Sequence, residues 1–104
     1  MDDLRLHADE AALFLAAFAN GKRVQIMCEL LQSELPVGII ARKVGLSQSA
    51  LSQHLSRLRS LRLVNTRRDK QTIYYSCTSE QVRRLFGTLD EIFVPAGTRP
   101  NVPA

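Results

Sequence analysis

The stretch SQSALSQHLSRLRSLRLVNTRRDKQTIYYS, residues 47–76, changes its hydrophobic period part-way along and so decides the fold. In its first half Ala50, Leu51, Leu55, Leu58 and Leu61 recur at the three- and four-residue spacing of one helix face, and Ser47 is placed to cap that helix. On the other face lie Ser49, Ser52, Gln53, Ser56 and Ser60, short polar side chains with almost no acid among them. After Leu63 the period becomes two: Val64 and Thr66, then Thr72, Tyr74 and Ser76, alternate with their neighbours in two β-prone runs. Arg68, Asp69, Lys70 and Gln71 between them read as a basic hairpin.

Immediately upstream, Pro36 is placed to start a short helix whose Val37, Ile40, Ala41 and Val44 share an apolar face, and Gly45 ends it. Two short helices joined by a tight turn containing Gly45, followed by a basic hairpin, match a helix-turn-helix with a wing. A helix entering the major groove needs small polar residues near its N-terminus so that its backbone can approach base edges. Gln48, Ser49, Ser52 and Gln53 are such residues, and Gln can pair bidentately with adenine. The positive end of the helix at Ser47 suits a phosphate, Arg57 one turn on would lie nearer the backbone, and Arg67, Arg68, Lys70 and Gln71 on the hairpin would touch a neighbouring minor groove or its phosphates.

Further out, residues 8–19 are apolar almost all round, which suits a helix buried on more than one side. Asn20 is a good N-cap for the next helix, in which Val24, Met27, Cys28 and Leu31 form a stripe. Thr78 to Gln81 reads as a capping box for a last helix, and Val82, Leu85, Phe86, Leu89, Ile92 and Phe93 make a stripe too apolar for a monomer's surface. The expected architecture is mainly α with a small β-hairpin, in the order α-α-α-α-β-β-α. A domain over residues 9–94 would have a flexible N-terminus (1–8) and, beyond Pro95, a disordered tail (95–104). Leu13, Phe14 and Phe18 of the first helix, with Val82, Leu85, Phe86, Leu89, Ile92 and Phe93 of the last, are the expected homodimer interface.

Composition agrees with a single binding domain. The chain has 104 residues, 45% of them apolar, enough for one modest core. Its longest apolar run, residues 11–19, is about half of the roughly 20 residues that cross a bilayer, so neither a membrane span nor a secretory signal is expected. Two cysteines fit a reducing cytoplasm better than a disulfide scaffold. The formal charge of +4 hides a segregation: residues 42–72 carry +7, leaving −3 for the remainder. Such a one-sided excess is a footprint for a polyanion, nucleic acid before an anionic membrane. No Ser/His/Asp spacing, paired catalytic carboxylates or glycine-rich phosphate loop is present, so an enzyme is not expected, and no cofactor is called for.

The segments ANGKRVQIMCELL and LPVGIIARKVGLSQSALSQHLSRLRSLRLVNTRRDKQTIYYS, with the closing helix, resemble the arsenical-resistance-repressor family of winged helix-turn-helix transcription factors. The resemblance covers residues 10–94, is carried most specifically by SQSALSQHLSRLR followed by RRDKQTIYY, and leans to the nodulation-repressor and sulfide-responsive types. It implies a homodimer joined through its first and last helices, bound to an imperfect palindrome in double-stranded DNA and blocking transcription. Many relatives sense metals through Cys-x-Cys at the start of the third helix or His and Asp on the last. Here those places read Glu34, Leu35, Pro36, Val37 and Asp90, Glu91, so no metal site is expected. Cys28 falls where sulfide-responsive relatives keep one redox cysteine, but the second position, near Val94, is aliphatic. Cys28 is therefore a candidate redox residue whose ordinary reading is an inert thiol in an apolar stripe, and His54 is expected to be packed or hydrogen-bonded. The alternatives to a plain repressor are a thiol-responsive one switching through Cys28, or a winged-helix module that binds protein instead of DNA.

Overall fold

The computed structural model describes residues 2–96. The helices are α1 (Asp2–Leu6), α2 (Ala8–Ala17), α3 (Gly21–Gln32), α4 (Val37–Val44), α5 (Gln48–Ser60) and α6 (Glu80–Phe93). The strands are β1 (Leu35–Pro36), β2 (Asn65–Asp69) and β3 (Thr72–Ser76). The expected order survives with two additions. The N-terminal segment expected to be flexible forms an exposed helical turn, with Arg5 3.5 Å from Asp2. The hairpin gains a third strand, because Leu35 and Pro36 pair antiparallel with Tyr75 and Tyr74, giving the sheet order β1-β3-β2. Two residues with no periodicity of their own could not announce that strand. The tail expected to be disordered lies, from residue 97 on, outside the described residues.

Local chemistry sets the helix ends. Asn20 accepts from the Arg23 N–H, and Ser47 from the Ala50 N–H, as their N-cap positions require. The α6 cap is Ser79, which accepts from the Val82 N–H, and not Thr78, whose hydroxyl donates to Asn65 Oδ1 instead. The N-cap thus lies one residue after the expected Thr78, and with Val82 at the third helical position it is a simple cap and not a capping box.

A single core joins these elements. Ile26, Met27 and Leu30 of α3, Ile40 and Val44 of α4, and Leu51, Leu55 and Leu58 of α5 are all buried. The α3 stripe is rotated from the expected one: Met27 is central, Val24 and Leu31 are only half-buried, and Cys28 faces out. α2 also differs from expectation, since only Ala17 among its residues is buried and Leu13 is 73% exposed. It is an apolar helix left uncovered by its own chain.

Candidate nucleic-acid interface

The helix-turn-helix angle is held at its corner. Gly45 ends α4 at φ 69°, the left-handed region that favours glycine, and the Leu46 N–H donates to the Ala41 carbonyl at 3.0 Å. Lys22 reaches across from α3 to donate to the Val44 carbonyl at 2.6 Å, satisfying an oxygen at the open end of α4. α5 then starts at Ser47 with its three leucines locked into the core. The opposite face is consequently outside: Ser47, Gln48, Ser49, Ser52, Gln53 and Arg57 are all exposed. Ser52, Gln53, Ser56, Arg57 and Ser60 line one shallow hollow along this face.

A second hollow lies between the start of α4, the start of α5 and the sheet, and its lining includes Gly38, Gln48, Gln71 and Thr72. The structure thus brings Gln48 of α5 to the same hollow as the wing residues Gln71 and Thr72, two segments more than twenty positions apart. Gly38, Thr72 and Arg42, which borders the adjoining hollow, were not singled out as site residues in the sequence. Arg42 belongs to the basic window and had that signal. Gly38 and Thr72 had none, because their place depends on the tertiary fold.

The wing turns at Lys70, which adopts φ 58°. Arg68, Lys70 and Gln71 are exposed, in keeping with backbone contact. Arg67 is not free for that role. Its Nε donates to both Glu34 oxygens at 3.1 Å and its Nη2 to Oε1 at 2.7 Å, while the guanidinium lies 4.7 Å from the centroid of the Tyr74 ring. These bonds hold the Glu34 carboxyl below its ordinary range. In this structure Arg67, one of the phosphate contacts expected from the sequence, is thus paired with Glu34.

The expected dimer surface divides in two. Phe14, Phe18 and Phe86 form an edge-to-face ladder, with centroids 5.4 and 5.3 Å apart, that fastens the end of α2 to α6. Phe18, Val82 and Phe86 are buried in the chain's own core and cannot offer area to a partner, which corrects their assignment to the interface. Leu13, Ile92 and Phe93 are exposed, while Phe14, Leu85 and Leu89 are half-buried.

Cys28 is exposed, against the expectation of burial, yet its thiol is pushed up from its ordinary range by partial desolvation and by the Glu29 and Asp90 carboxylates. Cys77 is buried, and burial raises its thiol too. Both are free thiols. His54 is hydrogen-bonded, its Nδ1 accepting from Arg23 Nε at 3.3 Å. Among the described residues no group of three or more His, Cys, Asp or Glu is placed to hold a metal ion, and no helix is long and apolar enough to cross a membrane.

Residues 20–66 match the family model described as "Bacterial regulatory protein, arsR family". The nodulation protein NolR of Rhizobium meliloti is 57% identical over 86 residues, which are 83% of this chain and 70% of that protein. The crystal structure of NolR from Sinorhizobium fredii superposes with a TM-score of 0.81 at 54% identity, covering 89% of this chain and 93% of that one. The transcriptional activator HlyU of Vibrio cholerae is 41% identical over 96 residues, 92% of this chain and 89% of its own. The winged helix-turn-helix DNA-binding domain of Mb0332 from Mycobacterium bovis, described as homodimeric, has a TM-score of 0.74 at 35% identity, covering 88% of this chain and 85% of that one.

Proposed function

The chain belongs to the arsR family of bacterial regulatory proteins, and from that premise we propose that it acts as a homodimeric repressor at an imperfect palindrome in double-stranded DNA. It is a DNA-binding transcriptional regulator and not an enzyme. The observation that carries the proposal is the exposed, acid-free face of α5, with Gln48, Ser49, Ser52 and Gln53 projecting from a helix whose other face is locked in the core. In a symmetric dimer two such helices would enter successive major grooves about 34 Å apart. Gln48, Ser49, Ser52 and Gln53 read base edges, while the α5 N-terminus at Ser47, together with Arg57, Arg68, Lys70 and Gln71, holds the backbone. Leu13, Phe14, Leu85, Leu89, Ile92 and Phe93 supply the dimer contact.

Residues 9–94 form the working unit, which acts beside the chromosome in the cytoplasm, where Cys28 and Cys77 stay reduced. Repression follows from occupancy: a dimer this small, with one face on DNA and another on its partner, blocks polymerase most simply by covering a promoter. HlyU is a transcriptional activator, which gives the second reading, in which the same binding assists transcription. Genome fragments captured by the purified protein, then footprinted, test both. The expected result is a two-fold symmetric footprint overlapping promoter elements. Sites confined upstream of them would favour activation, and fragments with no shared sequence would overturn specific binding.

A further inference from the structure

A clasp runs across the wing sheet, and base or phosphate contact makes no use of it. Glu34 precedes β1, Arg67 lies in β2, and Tyr74 in the central β3 stands opposite both Pro36 of β1 and Arg67 of β2. The ion pair therefore passes from one edge of the sheet to the other over the ring of the middle strand. Exposed ion pairs usually contribute little, but this one has the two features that make an exception: two N–H groups of one guanidinium donate to one carboxylate, the Nε–H shared between both oxygens, and an aromatic ring lies beneath it. Arg68 is the next residue along β2 and so projects from the other face of the strand, outside the clasp. One arginine of the RRDK turn is thus committed to the clasp while its neighbour is left for solvent or polyanion.

We propose that Glu34 is a specificity-determining positioning residue for DNA binding, which fixes the wing to β1 and withholds Arg67 from indiscriminate phosphate contact. A wing held at one angle can touch backbone only when α5 is seated in register, so discrimination between right and wrong DNA rises. Released, Arg67 becomes one more mobile cation that any duplex satisfies. This inference rests on the DNA-binding reading above.

The test uses the full-length dimer, a duplex selected by the wild-type protein from a random pool, and a scrambled duplex of the same length. Glu34→Gln is expected to bind the scrambled duplex about threefold more tightly at low salt, with a log–log salt slope steeper by about 0.9, as one added phosphate contact requires. The selected-to-scrambled affinity ratio should fall about threefold, because the gain is not shared by the selected site. The swapped pair Glu34→Arg with Arg67→Glu should restore the ratio. Should Glu34→Gln melt early, Glu34→Asp keeps the charge but shortens the reach, and should lower the ratio without steepening the slope. A Glu34→Gln protein with an unchanged ratio, or with both affinities raised alike, overturns the proposal. A wild-type protein that does not distinguish the two duplexes overturns the DNA-binding reading, and this inference with it.

Discussion

Arg23 donates from Nε to His54 Nδ1 at 3.3 Å and from Nη1 to the Ala17 carbonyl at 3.0 Å, so that one side chain of α3 ties the end of α2 to the middle of α5. One guanidinium thus bridges α2 and α5. Arg23→Met keeps the apolar stem but leaves two part-buried acceptors without their donor. It should cost about 1–3 kcal/mol, measured by chemical denaturation at a protein concentration matched to wild type. A change within about 0.3 kcal/mol would mean that water replaces the guanidinium without loss.

Burial separates two kinds of apolar residue on α6, and substitutions should separate them too. Phe93 is 75% exposed, so Phe93→Asp should leave the fold intact while shifting sedimentation from dimer to monomer. Val82 is fully buried, so Val82→Ala should instead lower stability by about 2 kcal/mol without a comparable effect on assembly once folded. A Phe93→Asp protein that remains dimeric at micromolar concentration would remove the end of α6 from the interface.

The two thiols should differ in access and agree in sluggishness. Cys28 is exposed and should alkylate in the native protein, whereas Cys77, buried beside α3 with its N–H on the Leu30 carbonyl, should react only after unfolding. The Cys28 thiol is raised by partial desolvation, Glu29 and Asp90, so the thiolate is the minor form at neutral pH. Its alkylation rate should therefore rise with pH about tenfold per unit through pH 8. A rate that levels below pH 8 would reveal an activated thiolate and favour the thiol-responsive reading of Cys28.

Most of the reading head was legible because its signals are local. Asn20 and Ser47 act three residues along and Gly45 at its own φ, and the leucine spacing of α5 reports its buried face directly. The misplacements arose where the deciding contact is distant in sequence. Arg67 looked like its neighbour Arg68 until the sheet brought Glu34 to it from 33 positions away. Cys28 sat in an apolar stripe on paper, but α3 turns Ile26 and Leu30 inward instead. Phe18, Val82 and Phe86 looked like interface because an apolar stripe does not say which of its residues the chain's own core will take.

The measurement that bears most directly on the account is a salt titration of binding by Gln53→Ala and Arg68→Ala, each on the selected and the scrambled duplex. Gln53 faces outward on α5 and Arg68 outward on the wing, so one should report on bases and the other on phosphates. Gln53→Ala is expected to lose about 1–3 kcal/mol on the selected duplex and almost nothing on the scrambled one, with its salt slope unchanged. Arg68→Ala is expected to weaken both duplexes alike and to flatten the slope by about one. Equal losses on both duplexes for Gln53→Ala would contradict the claim that the exposed face of α5 reads sequence.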